Sequence, residues 1–140
     1  MGFFDKFSSN VELTPAIALA TSMIYMMASD GEIADAEMNY LYVNLASVGD
    51  PQGLVEAASK YSKKQDLETF QKEANELLND EQKITILANL IDLLLADGDA
   101  DEEEQALFFS FADAFGVSEE EITPYIDIIS VKNNLANFIS

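Results

Sequence analysis

The sequence predicts an all-α fold, a single globular domain of about seven helices spanning residues 1–140. Three observations predict it. Apolar residues recur at spacings of three and four along most of the chain, which is the helical period. No segment alternates with period two. The breaks between periodic segments are short and carry Gly, Pro, Asp or Ser, as expected for neighbouring helices that pack together.

The elements follow in order. Gly2–Phe7 places Phe3, Phe4 and Phe7 around Asp5 and Lys6, as a short helix or a tail. These rings are expected to close the core, or to anchor a partner or membrane. Thr14-Pro15 opens the first long helix, with Thr as N-cap and Pro at the first helical position. This helix runs to about Ser29. Ile17, Ala20, Ile24, Met27 and Ala28 form its face, widened by Leu19, Met23 and Met26. A helix apolar nearly all round is expected at the centre. Gly31 ends it as a left-handed residue.

The second helix is expected from Asp35 to Val48, with Met38, Leu41, Leu45 and Val48 inward. Asp50 caps a third, Pro51 to Lys63, whose last turn holds Lys60, Lys63 and Lys64 against the helix dipole. Asp66 caps a fourth, Leu67 to Leu78, with Leu67, Phe70, Ala74 and Leu77 inward. Asp80 is expected to cap a fifth, ending near Ala96. Ile84, Leu87, Ala88, Ile91, Leu94 and Leu95 make its main face, thickened by Ile86, Leu90 and Leu93. Thr85, Asn89 and Asp92 form a narrow polar stripe on it, so Asp92 is expected in solvent rather than as a buried functional acid. Asp101 and Glu104 form a capping box for a sixth helix, whose inner face is Leu107, Phe108, Phe111, Ala112 and Phe115. Ser118 and Glu121 form another, opening a seventh helix to about Ile129. One or two further turns are expected over Val131–Ile139.

Composition removes whole classes of function. The chain has no cysteine or histidine, and all seven of its basic residues are lysines. Thiolate chemistry, disulfides, imidazole ligands and bidentate arginine clamps are therefore excluded. The formal net charge is −19. Such a surface repels nucleic acid and anionic membranes and attracts cations or basic partner surfaces. The uncharged runs are shorter than the roughly 20 residues that span a bilayer. No secretory or myristoylation signal is evident at Met1–Lys6, so a soluble cytoplasmic protein is expected.

One acidic motif occurs twice, 67 residues apart: Asp30-Gly31-x5-Glu37 and Asp97-Gly98-x5-Glu104. The same shift lays Ile17 on Ile84, Ile24 on Ile91, Leu41 on Phe108, Val48 on Phe115 and Gly49 on Gly116. The pattern predicts an internal pseudo-two-fold duplication, with repeats at about 14–64 and 81–130. The motif spacing equals the second half of an EF-hand loop, with Ile33 at the apolar position. The first half is missing, because Met26 and Ala28, or Leu93 and Leu95, stand where ligands are needed.

Two such motifs can pool Asp30, Glu37, Asp97 and Glu104 around a hard divalent cation, Ca²⁺ or Mg²⁺. Asp97–Glu104 holds six acids in eight residues, which raises local cation concentration. The alternative is structural: Gly makes the turn, the aspartates accept backbone N–H bonds, and the glutamates cap the next helix. The two roles are compatible. No catalytic constellation or substrate pocket is marked, so no enzyme is expected.

Met1-Gly2-Phe3-Phe4-Asp5-Lys6-Phe7, Ala28-Ser29-Asp30-Gly31 with Glu37, and Leu95-Ala96-Asp97-Gly98 with Glu104 together resemble the TerB tellurite-resistance family. The resemblance covers nearly the whole chain in layout and is weakest between about residues 50 and 80. It implies about seven helices with an internal pseudo-repeat. It also implies a bacterial cytoplasmic role in tellurite resistance and stress response, without a catalytic step. Metal binding, and contacts with Ter-type or other stress proteins in a membrane-associated complex, are implied too. Carried over to this sequence, the metal ligands would be Asp30, Glu37, Asp97 and Glu104. The basic face of the founding members is missing, since this chain has no arginine and few lysines. A second reading is a metal-independent helical module that docks a protein partner.

Overall fold

A computed structural model describes residues 11–31, 33–96 and 100–139, apart from the side chains of Asp30, Ala136 and Asn137. The expectations for Phe3, Phe4 and Phe7 fall outside the described residues, as does Asp97-Gly98. The described residues form seven α-helices and no strand. No helix among them is long and apolar enough to cross a membrane.

Helix α1, Pro15–Met27, begins as its sequence dictates: the Thr14 hydroxyl accepts the Ile17 N–H at 3.2 Å. It is central, packing on five of the other helices, most extensively the third and the fifth. Its buried set differs in part from the expected one. Thr21 and Ser22 are buried, whereas Ile24 is half-buried and Ala28 exposed. Ser22 can be buried because its hydroxyl donates to the Ala18 carbonyl at 2.8 Å. The Thr21 hydroxyl is buried without a hydrogen-bond partner among the described residues.

A 3₁₀ turn, Ala28–Asp30, and the left-handed Gly31 (φ 103°) lead out of α1. Helix α2 is Asp35–Leu45. It stops short of Val48, which is 48% exposed instead of inward. Helix α3, Pro51–Lys64, is capped by Asp50, which accepts the Gly53 N–H at 3.1 Å. Helix α4, Leu67–Leu77, is capped by Asp66, which accepts the Thr69 N–H at 2.8 Å. Phe70 and Ala74 of α4 are buried as expected, but Leu77 is 41% exposed.

Helix α5, Asp80–Ala96, corrects one cap. Asn79, not Asp80, accepts the Gln82 N–H at 2.8 Å, and the Gln82 amide oxygen accepts the Asn79 N–H at 2.9 Å. The reciprocal pair satisfies two free donors at once, which an Asp80 cap would not. Helix α6 is Glu102–Ala114, and Gly116 ends it with φ 70°. Helix α7, Glu119–Asn133, runs a turn beyond expectation and has Pro124 inside it. A 3₁₀ turn, Leu135–Phe138, follows.

Helix α5 packs on α1, α6 and α7, and α4 packs on α6. Aromatic rings join these layers. Phe70 stacks on Tyr25 at 5.8 Å and meets Tyr61 and Phe111 edge-on at 5.7 and 6.1 Å. Phe111 meets Phe115 in turn at 6.1 Å. Such pairs add about 0.5–1.5 kcal/mol each beyond area burial.

Candidate functional site

The first motif is built at the junction of α1 and α2. The Gly31 N–H donates to the Ala28 carbonyl at 2.9 Å, and the Ser29 hydroxyl donates to Met26 at 2.8 Å. Ile33 then packs against the core. Ala34 stands at the N-cap of α2 without a side-chain acceptor. Glu37 reaches back instead, and its carboxylate accepts the Ala34 N–H at 3.0 Å.

The second motif enters α6. Its Asp97-Gly98 turn lies outside the described residues. Asp101 accepts the Glu104 N–H at 2.8 Å, and the Glu104 carboxylate accepts the Asp101 N–H at 3.3 Å. Glu37 and Glu104 therefore do the same structural work. Each is half-buried at the third position of its helix, where a carboxylate also complements the helix dipole.

The 3₁₀ turn Ala28–Asp30 packs against α6, the helix whose first turn carries Glu104. Among the described residues, no three acids gather closely enough to hold a metal ion. The Asp30 side chain and Asp97 are not among those residues. The donor set is all oxygen and suits a hard cation.

A second polar cluster was not expected. Asp92 is 19% exposed rather than solvated. One carboxylate oxygen accepts from the Tyr40 hydroxyl of α2. The other accepts from Lys132 at 3.0 Å and from the Asn133 amide at 2.8 Å, both on α7. Burial pushes the Asp92 carboxyl up, but its three donors outweigh that and hold it below the usual carboxylate range. Burial, then the bond to Asp92, pushes the Tyr40 phenol well above its ordinary value. An anion satisfied this fully is a structural lock and a poor general base. Sequence spacing could not find it, because the partners lie 52, 40 and 41 residues away. The available signal was Lys132 itself, a single cation after Lys83 in an acidic stretch.

A similar bond joins α3 to α4, where the Tyr61 hydroxyl donates to Glu73. Burial, then this bond, raises the Tyr61 phenol.

Residues 16–124 match the family described as Tellurite resistance protein TerB. The chain belongs to the TerB family. The TerB match runs from α1 to Pro124 in α7, so it contains both Asp-Gly motifs and Asp92 but not Lys132 or Asn133. No curated protein and no solved structure matches the chain.

Proposed function

We propose that this TerB-family chain is a non-enzymatic tellurite-resistance and stress-response protein. In this reading it binds Ca²⁺ or Mg²⁺ through Asp30, Glu37, Asp97 and Glu104. The observation that carries the reading is the packing of the turn ending at Asp30 against the helix that begins near Glu104. The cap bonds are compatible with it, since the cap engages one oxygen of Glu37 and a carboxylate has two.

Internal duplication is part of the same proposal. Its support is parallel packing: α1 meets α2 and α3, as α5 meets α6 and α7. Leu41 and Phe108, paired by the shift, are both buried. Two other paired positions depart from it. Gly116 is left-handed and Gly49 is not, and Phe115 is buried where Val48 is exposed.

The test is titration of Ca²⁺ and of Mg²⁺ into metal-stripped protein by NMR at physiological salt, where diffuse attraction is screened. Saturable shifts at both motifs are expected, lost in Asp30→Asn with Asp97→Asn. Diffuse shifts unchanged by that double variant would leave the glutamates as helix caps alone. The metal-independent docking module would then be the better reading. The exposed apolar residues of α7 and the turn after it favour that second reading.

A further inference from the structure

Helix α7 has two apolar faces. Ile122 is fully buried, and Ile126 and Ile129 pack against the core. The opposite face turns outward. Ile128 and Val131 lie on it with Tyr125 on its flank, and Leu135 and Phe138 follow in the 3₁₀ turn after the helix ends. Ile128 is 68% exposed, Val131 77% and Phe138 86%. Single exposed apolar residues need no explanation, but a run of them on one helical face marks an interaction surface. This run begins just after the segment matched to the TerB family ends.

Charge decides what can cover it. Glu119, Glu120, Glu121 and Asp127 are exposed on the same helix. Lys132, the one cation there, is paired with Asp92 at 3.0 Å. Glu120 and Asp127 flank Val131 on the helix, and neither pairs with a lysine among the described residues of a chain of charge −19. A second copy would bring the same acids against it, and an anionic membrane would be repelled. We propose that this face docks a cationic amphipathic helix of a protein partner. The partner's apolar residues would lie on Tyr125, Ile128 and Val131, with its lysines or arginines toward Glu120 and Asp127. Helix-on-helix recognition of this kind reads apolar anchors at three- and four-residue spacing, and rim charges set orientation. The proposal does not depend on cation binding at the Asp-Gly motifs.

The full chain tests it. The probe is a synthetic helical peptide of Leu and Lys at amphipathic spacing, with a matched peptide carrying Glu for Lys, titrated by NMR at physiological salt. Shifts confined to about residues 120–138 are expected for the Lys peptide and none for the Glu peptide. Ile128→Ser with Val131→Ser should weaken binding by at least about tenfold, the loss typical of anchor residues. Its circular dichroism should stay native, since both positions are exposed. Glu120→Gln with Asp127→Asn should weaken binding less and flatten its salt dependence. Shifts spread over the acidic surface and indifferent to the apolar variant would overturn the proposal. Three further results would overturn it by naming another occupant. They are a wild-type dimer made monomeric by the apolar variant, binding to phosphatidylglycerol vesicles lost in that variant, and tighter peptide binding once residues 1–10 are deleted.

Discussion

Helix α3 meets the core through Val55, Ala58 and Tyr61, and its exposed positions are Gln52, Gly53, Glu56, Lys60, Lys63 and Lys64. Helix α7 meets the core through Ile122, yet its exposed positions include Tyr125, Ile128 and Val131. Both lie along a long apolar helix, α3 on α1 and α7 on α5. A place in the fold therefore dictates the inner face of a helix and leaves the outer face to other demands. On α3 that demand is water. On α7 no other described residue covers Ile128 or Val131, so packing among the described residues does not account for isoleucine or valine there.

The contrast between faces can be broken most decisively by truncation. Ile122→Ala should destabilise the protein by about 2–5 kcal/mol, the usual cost of a buried aliphatic. Ile128→Ala should stay within about 0.5 kcal/mol. Urea unfolding measures both, and equal losses would mean that the outer face of α7 is already packed. Next comes the attachment of each helix. Asp92→Ala strips Tyr40, Lys132 and Asn133 of their shared acceptor and should cost about 1–3 kcal/mol. Tyr61→Phe removes only the bond from α3 to Glu73 and should cost about 1 kcal/mol. Hydrogen exchange should quicken in α7 for the first variant and in α3 for the second.

The pH dependence sharpens the same pair. Asp92 has a lowered folded pKa, so its contribution is present above the unfolded value of about 3.9 and is lost as pH falls through the folded value. Asp92→Asn should flatten the acid limb of the stability curve. The raised phenols of Tyr40 and Tyr61 act at the other end. Their contribution is full below the unfolded value of about 10 and is lost as pH rises toward the folded values. Tyrosinate absorbance in the wild type and in Tyr40→Phe reads this directly.

Helix starts give the smallest effects. Asp101→Ala should cost about 1 kcal/mol, whereas Ala34→Ser should gain about 0.5–1 kcal/mol by supplying the acceptor that α2 lacks. Thermal midpoints for both variants test whether Glu37 alone is a sufficient cap.

The helices were legible because their signals are local. Thr14-Pro15, Asp50, Asp66, Asp101 and Ser118 each cap a helix within three residues of themselves. The structure departs from the sequence expectation where two local candidates compete, as Asn79 and Asp80 do, or where an apolar residue sits at the end of its helix. Val48 lies beyond the last turn of α2, and Leu77 is the last residue of α4, next to Leu78, which takes the buried place instead. Asp92 departs from expectation for a different reason: Thr85 and Asn89 mark its stripe as polar, while its donors come from two other helices. At the motif, the capping roles of Glu37 and Glu104 could be read from spacing. A meeting of four carboxylates depends on tertiary geometry, which spacing does not encode.

The ring of Phe70 has a consequence for how the protein comes apart. It touches Tyr25 of α1, Tyr61 of α3 and Phe111 of α6. Any opening that separates the early helices from the late ones must first break this shared contact. The molecule should then melt as one cooperative unit, and a chain cut after α4 should yield no half able to refold alone.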